Sequence, residues 1–230
     1  MKKMAVFGLV LVLLLSLNVY GERAVGDVVT FGAYEQDNNT SNGKEPIEWE
    51  VLGVENDGTC LLISRYALDA RPYNKEEIGV TWETCTLRSW LNDGFLSSAF
   101  SAEERNKIVV TNNKNTDNPN YGTQGGNDTS DYVFLLSLEE IEKYYSINKN
   151  TGSDWYWRGE DRLKKYPTAY AKAQGAYISD NGACWWWLRS PGSASVYAAS
   201  VGDDGYVRVA GYSVTSTYTS VVPAVRAWLF

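Results

Sequence analysis

The 230-residue chain is 44% hydrophobic and 21% charged, proportions that exclude both a disordered chain and a multi-span membrane protein. It carries 21 Lys and Arg against 28 Asp and Glu, a net charge of −7, and no histidine. The acidity gives no footprint for nucleic acid or anionic lipid, and without imidazole there is no Ser-His-Asp or Cys-His catalysis and no histidine-ligated zinc.

Lys2 and Lys3 form a short basic segment ahead of the apolar run Met4 to Leu17, and Val19-Tyr20-Gly21 suits cleavage. Residues 1–21 therefore read as a signal peptide, with an uncleaved membrane anchor as the alternative. Loss of Lys2 and Lys3 leaves 19 basic against 28 acidic residues, a net charge of −9. The expected location is secreted or cell-surface. Residues 22–230 are expected to form one α+β domain.

Val28 to Phe31 is β-branched and aromatic, and Ile47 to Val54 alternates in part, so both predict strands. Between them lies the polar stretch Glu35 to Pro46. Its Asp37-to-Gly43 segment is oxygen-rich but lacks the acid spacing and terminal Glu of a calcium loop. It reads as a solvated loop, and no metal or cofactor is expected. Asn56-Asp57-Gly58 is a hairpin turn into Thr59 to Ser64. Thr84 to Asn92 has helical spacing, Ser101-Ala102-Glu103-Glu104 and Ser137-Leu138-Glu139-Glu140 are capping boxes, and Tyr132 to Leu136 is strand-like. Tyr166-Pro167-Thr168 opens a further helix with Pro at or near its first turn, and Gly175 is expected to end it. Asn112 to Ser130 and Asn148 to Gly159 read as long loops. Cys184 to Arg189 predicts a buried strand, followed by Val196 to Val201, the turn Gly202-Asp203-Asp204-Gly205, and Tyr206 to Ala210. Pro223 cannot donate to a ladder, so the last strand is expected at an edge or with a bulge.

Cys60, Cys85 and Cys184 allow one disulfide plus a thiol, or three small buried hydrophobes. On a strand, Trp185 and Trp187 share one face and Trp186 takes the other, and all three read as packing residues. Trp155 and Trp157 offer an exposed stacking platform or a hydrophobic tuck of their loop. Arg88, Arg189 and Arg226 sit in apolar surroundings and read as structural, needing partners such as Glu48, Glu83, Asp204 or backbone carbonyls. Tyr197, Tyr206, Tyr212 and Tyr218 lie among Ser, Gly and Ala, a mixture suited to a binding surface or to the open face of a sheet. No catalytic residues are assigned, since phosphate-loop, nucleophile-elbow and nucleotide motifs are all missing from the sequence.

The run Trp186-Trp187-Leu188-Arg189-Ser190-Pro191-Gly192 is similar to a signature of an uncharacterised bacterial family, a domain of unknown function whose members are often exported. Gly26 to Gly32, Ile47 to Leu52, Thr81 to Asn92 and Pro167 to Ala171 resemble other blocks of that family. The chain departs at its end, where Val222 precedes Pro223 and the arginine follows at Arg226. The order aromatic-x-Arg-Ser, Asp-Gly hairpin and terminal strand also resembles C-type-lectin-like domains of the formylglycine-generating-enzyme group. That resemblance implies a small twisted antiparallel sheet with short helices and long loops, and places a ligand surface within Ser193 to Ser220.

These readings lead to an exported, non-enzymatic binding domain for an extracellular glycan or protein. A carboxylate-dependent glycan hydrolase is the first alternative and a structural envelope module the second.

Overall fold

The computed structural model describes residues 23–229, so the signal-peptide reading of residues 1–21 lies outside the described residues. From the N-terminal side come strands β1 (Val28–Tyr34), β2 (Glu45–Val54), β3 (Cys60–Ser64) and β4 (Asp69–Ala70). In β1, Val29 and Phe31 turn inward while Val28 and Thr30 face out, and Ile47, Trp49 and Val51 repeat that alternation in β2. β3 is buried at every position, as a central strand must be. Between β2 and β3, Gly58 takes a positive φ and the Asp57 carboxylate accepts from the Thr59 N–H (2.9 Å).

Short helices follow: α1 (Thr86–Trp90), running through a wide turn at Leu91–Phe95 into α2 (Leu96–Ala99), and then α3 (Ala102–Arg105). The Cys85 sulfur caps α1 by accepting from the Arg88 N–H (3.4 Å). The Ser101 box forms, with its hydroxyl accepting from the Glu104 N–H and the Glu104 carboxylate accepting in return. Beyond lie β5 (Ile108–Val109), β6 (Thr111–Asn113), β7 (Thr129–Asp131), β8 (Val133–Phe134), α4 (Leu138–Tyr144), β9 (Tyr156–Trp157) and α5 (Ala169–Ala173). Thr168 is the N-cap of α5, so Pro167 stands directly ahead of the cap, near the first turn. Gly175, at φ +104, ends that helix. The stretches expected as long loops are partly ordered: β6 pairs with β7, and Asn148 and Arg158 bond each other's backbone.

The chain closes with β10 (Trp186–Pro191), β11 (Tyr197–Val201), β12 (Val207–Ser213), β13 (Ser220–Val221) and β14 (Ala224–Ala227). Two sheets result. The first runs β1-β2-β3-β14-β5, with β8 also beside β14, and is antiparallel throughout. The second runs β4-β13-β10-β11-β12-β9, with one parallel pair, β10 with β13. Its strands and the short helices make an α+β fold. Residues of both sheets belong to one continuous core cluster.

The expectation of a terminal edge strand is corrected. β14 lies inside the first sheet, between β3 and β5, while β13 belongs to the second. The chain changes sheets at Val222-Pro223. A residue there needs no ladder N–H, and the Pro223 carbonyl still accepts from the Ser64 N–H at 2.9 Å. Cys60, Cys85 and Cys184 are free and buried, which realises the hydrophobic reading and not the disulfide one. Burial pushes the Cys85 thiol up to about 12 and that of Cys184 to about 11, so neither is a ready thiolate.

The Arg-Ser pair of β10 docks α4. Arg189 is 4% exposed; its guanidinium donates to the Leu135 carbonyl (2.8 Å) and the Lys114 carbonyl (3.2 Å) and pairs with Glu140. Glu140 is also the carboxylate of the second capping box, and the Ser190 hydroxyl accepts from the Leu138 N–H (3.0 Å). One buried cation thus fixes a helix N-terminus to the sheet. Replacing Arg189→Met leaves Glu140 and two carbonyls without their donor, and urea denaturation should show a loss of roughly 3 kcal/mol.

Candidate functional site

The outer face of the second sheet carries the densest set of accessible aromatics. β9 pairs with β12 so that Tyr156 stands opposite Arg208 and Trp157 opposite Val207. Alternation sends Trp157, Val207 and Val209 into the core and leaves Tyr156, Arg158, Tyr206 and Arg208 outside. Each strand thus contributes a tyrosine and an arginine, and the four form a checkerboard. The Tyr156 and Tyr206 rings stack at 5.4 Å and 14°. The Arg158 guanidinium lies 5.7 Å from the Tyr206 ring centre, and Arg208 lies 5.8 Å from Tyr206, 5.9 Å from Tyr156 and 5.7 Å from Trp185.

The stripe continues along the sheet. Trp185 meets Tyr212 edge-on at 5.0 Å and Tyr177 at 6.2 Å, and Tyr212 meets Tyr218 at 5.7 Å. Asp203 and Asp204 of the hairpin turn hold it: the Trp185 indole donates to Asp203 (2.6 Å) and Arg208 to Asp204 (2.6 Å).

A cleft of about 370 Å³ opens against β12 between Arg208 and Tyr212, lined by Tyr121, Trp155, Ser193, Tyr197, Ala210 and Gly211. Its floor is small. Gly211 adopts φ +77, and a Cβ there would lie 2.5 Å from the Ala198 carbonyl oxygen. Trp155 is 73% exposed yet firmly placed. Its carbonyl accepts from the Ala210 N–H (3.1 Å), its N–H donates to Ser153 (3.2 Å), and Tyr121 and Asn120 both donate to the Asp154 carbonyl. An indole held out in water by its own loop is prepared for contact.

Of the residues singled out beforehand, Trp155 and Tyr197 meet in the cleft, and Tyr206, Tyr212 and Tyr218 lie on the stripe. Trp157 does not: it is 1% exposed, because β9 joins the sheet and turns it to the core face. Trp186 and Trp187 are buried packing residues, whereas Trp185 is half-buried and belongs to the stripe. Arg88 and Arg226 find other acids than expected, Asp131 (2.6 Å) and Glu55. Glu48 pairs instead with Arg65 and Asp204 with Arg208, while Glu83 offers Arg88 its carbonyl (3.1 Å). Tyr121, Tyr177 and Arg208 were not singled out. The repeated Tyr-x-Arg of Tyr156-Trp157-Arg158 and Tyr206-Val207-Arg208 was the signal that could have found four residues of the checkerboard.

Two other clusters carry ionisable groups. Glu35, Asp37 and Glu45 bring carboxylate oxygens within 4.8 Å of one another on the loop considered for calcium. They accept from that loop's own donors: Gln36 N–H to Glu45 (2.6 Å), Asn39 N–H to Glu35 (2.9 Å) and Asn42 to Asp37 (2.7 Å). The Asn42 and Asn39 donors hold the Asp37 carboxyl below the usual carboxylate range. Asp37 and Glu45 also border an open cleft of about 350 Å³ with Tyr66, Tyr166 and Thr168. Separately, Lys165 is 3% exposed, with its ammonium donating to the Ser64 carbonyl (3.0 Å).

The geometry defines a two-sheet α+β domain with an aromatic, arginine-bearing face. The family model described as Domain of unknown function (DUF6273) matches residues 57–227, and the chain belongs to that family. Comparison with curated proteins and with solved structures gives no match.

Burial pushes Lys165 down to about 8; Glu50 opposes the shift, and Arg162 and Arg65 add to it. Above about pH 8 the folded protein holds this amine neutral, while the unfolded chain keeps its proton up to the ordinary lysine range. The unfolded state then binds more protons, so this group's contribution to stability rises from about pH 8 to about pH 10.4. Buried tyrosines and cysteines titrate in the same window with the opposite sign. The difference between wild type and Lys165→Met isolates the lysine: in urea titrations the variant should be the more stable at pH 7, with its advantage shrinking towards pH 10.

Proposed function

We propose that this is an exported, non-enzymatic binding domain that recognises a carbohydrate at the cell exterior, with a protein ligand as the other member of the class. The observation that carries the reading is Trp155, exposed and preorganised beside Tyr121 and Tyr197 over a floor of small residues. A pyranose ring lies flat on an indole through its C–H face, and a floor of Gly and Ala lets the ring approach the backbone. The Tyr197 hydroxyl and Ser193 supply the polar groups that orient a sugar. The C-type-lectin-like reading of the fold belongs to the same proposal: short helices, a curled antiparallel sheet and long ordered loops support it. An acidic chain with an apolar leader supports the extracytoplasmic setting.

The cleft beside Asp37 and Glu45 favours one second reading, a carboxylate-dependent glycan hydrolase, because two carboxylates converge at its edge. Their engagement by the loop's own N–H groups favours the binding reading instead. Glu45→Gln separates the two: on the hydrolase reading it abolishes release of reducing ends from a bound glycan, and on the binding reading wild type releases none.

Glycan-array screening followed by titration calorimetry tests the main proposal. Trp155→Ala should weaken the selected glycan at least tenfold while leaving the near-ultraviolet circular dichroism of the buried tryptophans intact. Equal affinity for the variant, or no glycan bound by wild type, overturns it.

A further inference from the structure

The arginines of the outer face are not used alike. Arg65, Arg71, Arg88, Arg162, Arg189 and Arg226 each meet a carboxylate, as does Arg208, while Arg105 donates to the Phe100 carbonyl. Arg158 differs. Its backbone is fixed on both sides to Asn148 (2.8 and 2.9 Å), yet its exposed guanidinium has no acid or carbonyl partner among the described residues. It lies over Tyr206 from one side, and Arg208 approaches the same ring at 5.8 Å. Asp203 and Asp204 of the same turn face the two cations, but Asp203 accepts from the Trp185 indole and Asp204 engages a single Arg208 nitrogen, so Arg158 keeps its donors unbonded. The stripe of this acidic chain, net charge −7, thus holds one guanidinium with no direct ionic or carbonyl partner. Like charges converging on one ring cost free energy unless an anion joins them.

We propose that the stripe takes an acidic oligosaccharide, with its pyranose rings against Trp155 and Trp185 and a ring carboxylate held by Arg158 with help from the free donors of Arg208. The geometry suits this class. A uronate offers an apolar ring face and, at its rim, a planar carboxylate that matches the guanidinium fork. Tyr156 and Tyr206 stack on each other, and their contacts with the two guanidinium groups, Arg158 at Tyr206 and Arg208 at both rings, restrict motion and lower the cost of ordering on binding. A neutral glycan would leave the Arg158 charge where it stands now, and a sulfated or phosphorylated polymer without a matching ring would use the charge but not the indoles.

This inference rests on the carbohydrate reading of the site and narrows it to one class. Calorimetry would use oligogalacturonate, oligoglucuronate and alginate, each beside its carboxyl-reduced counterpart, with dextran sulfate as a charge control. At least one uronate polymer should bind tenfold or more tightly than its reduced form, and Arg158→Gln should remove about tenfold of that affinity. Trp155→Ala should weaken the acidic and reduced forms alike, and raised salt should narrow the gap between them. If reduced and acidic forms bind equally and Arg158→Gln has no effect, the inference falls while the carbohydrate reading stands. Dextran sulfate binding as tightly as the uronates, whatever residue occupies position 155, likewise overturns it. If no glycan binds in any form, the carbohydrate reading falls with it.

Discussion

The pairing of Trp157 with Val207 is the constraint on which the surface depends. A strand has two faces and no third option, so driving this indole and the valines of β12 into the core forces their neighbours into water. Those neighbours are Tyr156, Arg158, Tyr206 and Arg208. The checkerboard is therefore not assembled separately from the fold. A slip of β9 by one residue against β12 would turn Trp157 out and Tyr156 and Arg158 inward, which ties the register of the edge to the chemistry it displays.

The molecule uses arginine in two ways, and the contrast identifies the candidate face. Arg189 is withdrawn from solvent and largely satisfied, bridging α4, two loop carbonyls and β10. Arg88 does the same for Asp131, whose carboxylate also receives Trp82, Asn113 and Thr129. These cations are internal fasteners, and charge-assisted bonds in a low dielectric make them rigid. Arg158 and Arg208 lie on rings in reach of water, with donors to spare. Side chains that the protein itself does not satisfy are the ones available to something else.

Much of this was legible beforehand, for identifiable reasons. The strands of β1, β2, β3, β10, β11 and β12 follow from alternation and from turn residues such as Asp57-Gly58, and both capping boxes follow from a four-residue spacing. The α+β class and the family resemblance were legible too. Two features were not. The tryptophans of Trp155-Tyr156-Trp157 read alike as exposed or buried until β9 acquires a partner, and that partner lies some fifty residues away. The carboxylates that meet Arg88, Arg189 and Arg226 were equally hidden, since Asp131, Glu140 and Glu55 sit in other elements, and ion pairs leave no local periodicity. Pro223 misled for the opposite reason: its missing N–H argued for a sheet margin, when the chain was passing from one sheet to another.

That passage bears on how the molecule is made. β14 sits between β3 and β5 at the middle of the first sheet, although it follows β3 by about 160 residues. The early strands β1 to β3 can meet one another during synthesis, but the seam beside β3 stays open until β14 arrives. Pairings of such long sequence separation are slow to close. A chain organised like this keeps its first sheet incomplete until β14 is in place, so the sheet is closed by one late, long-range pairing that acts on both of its halves at once.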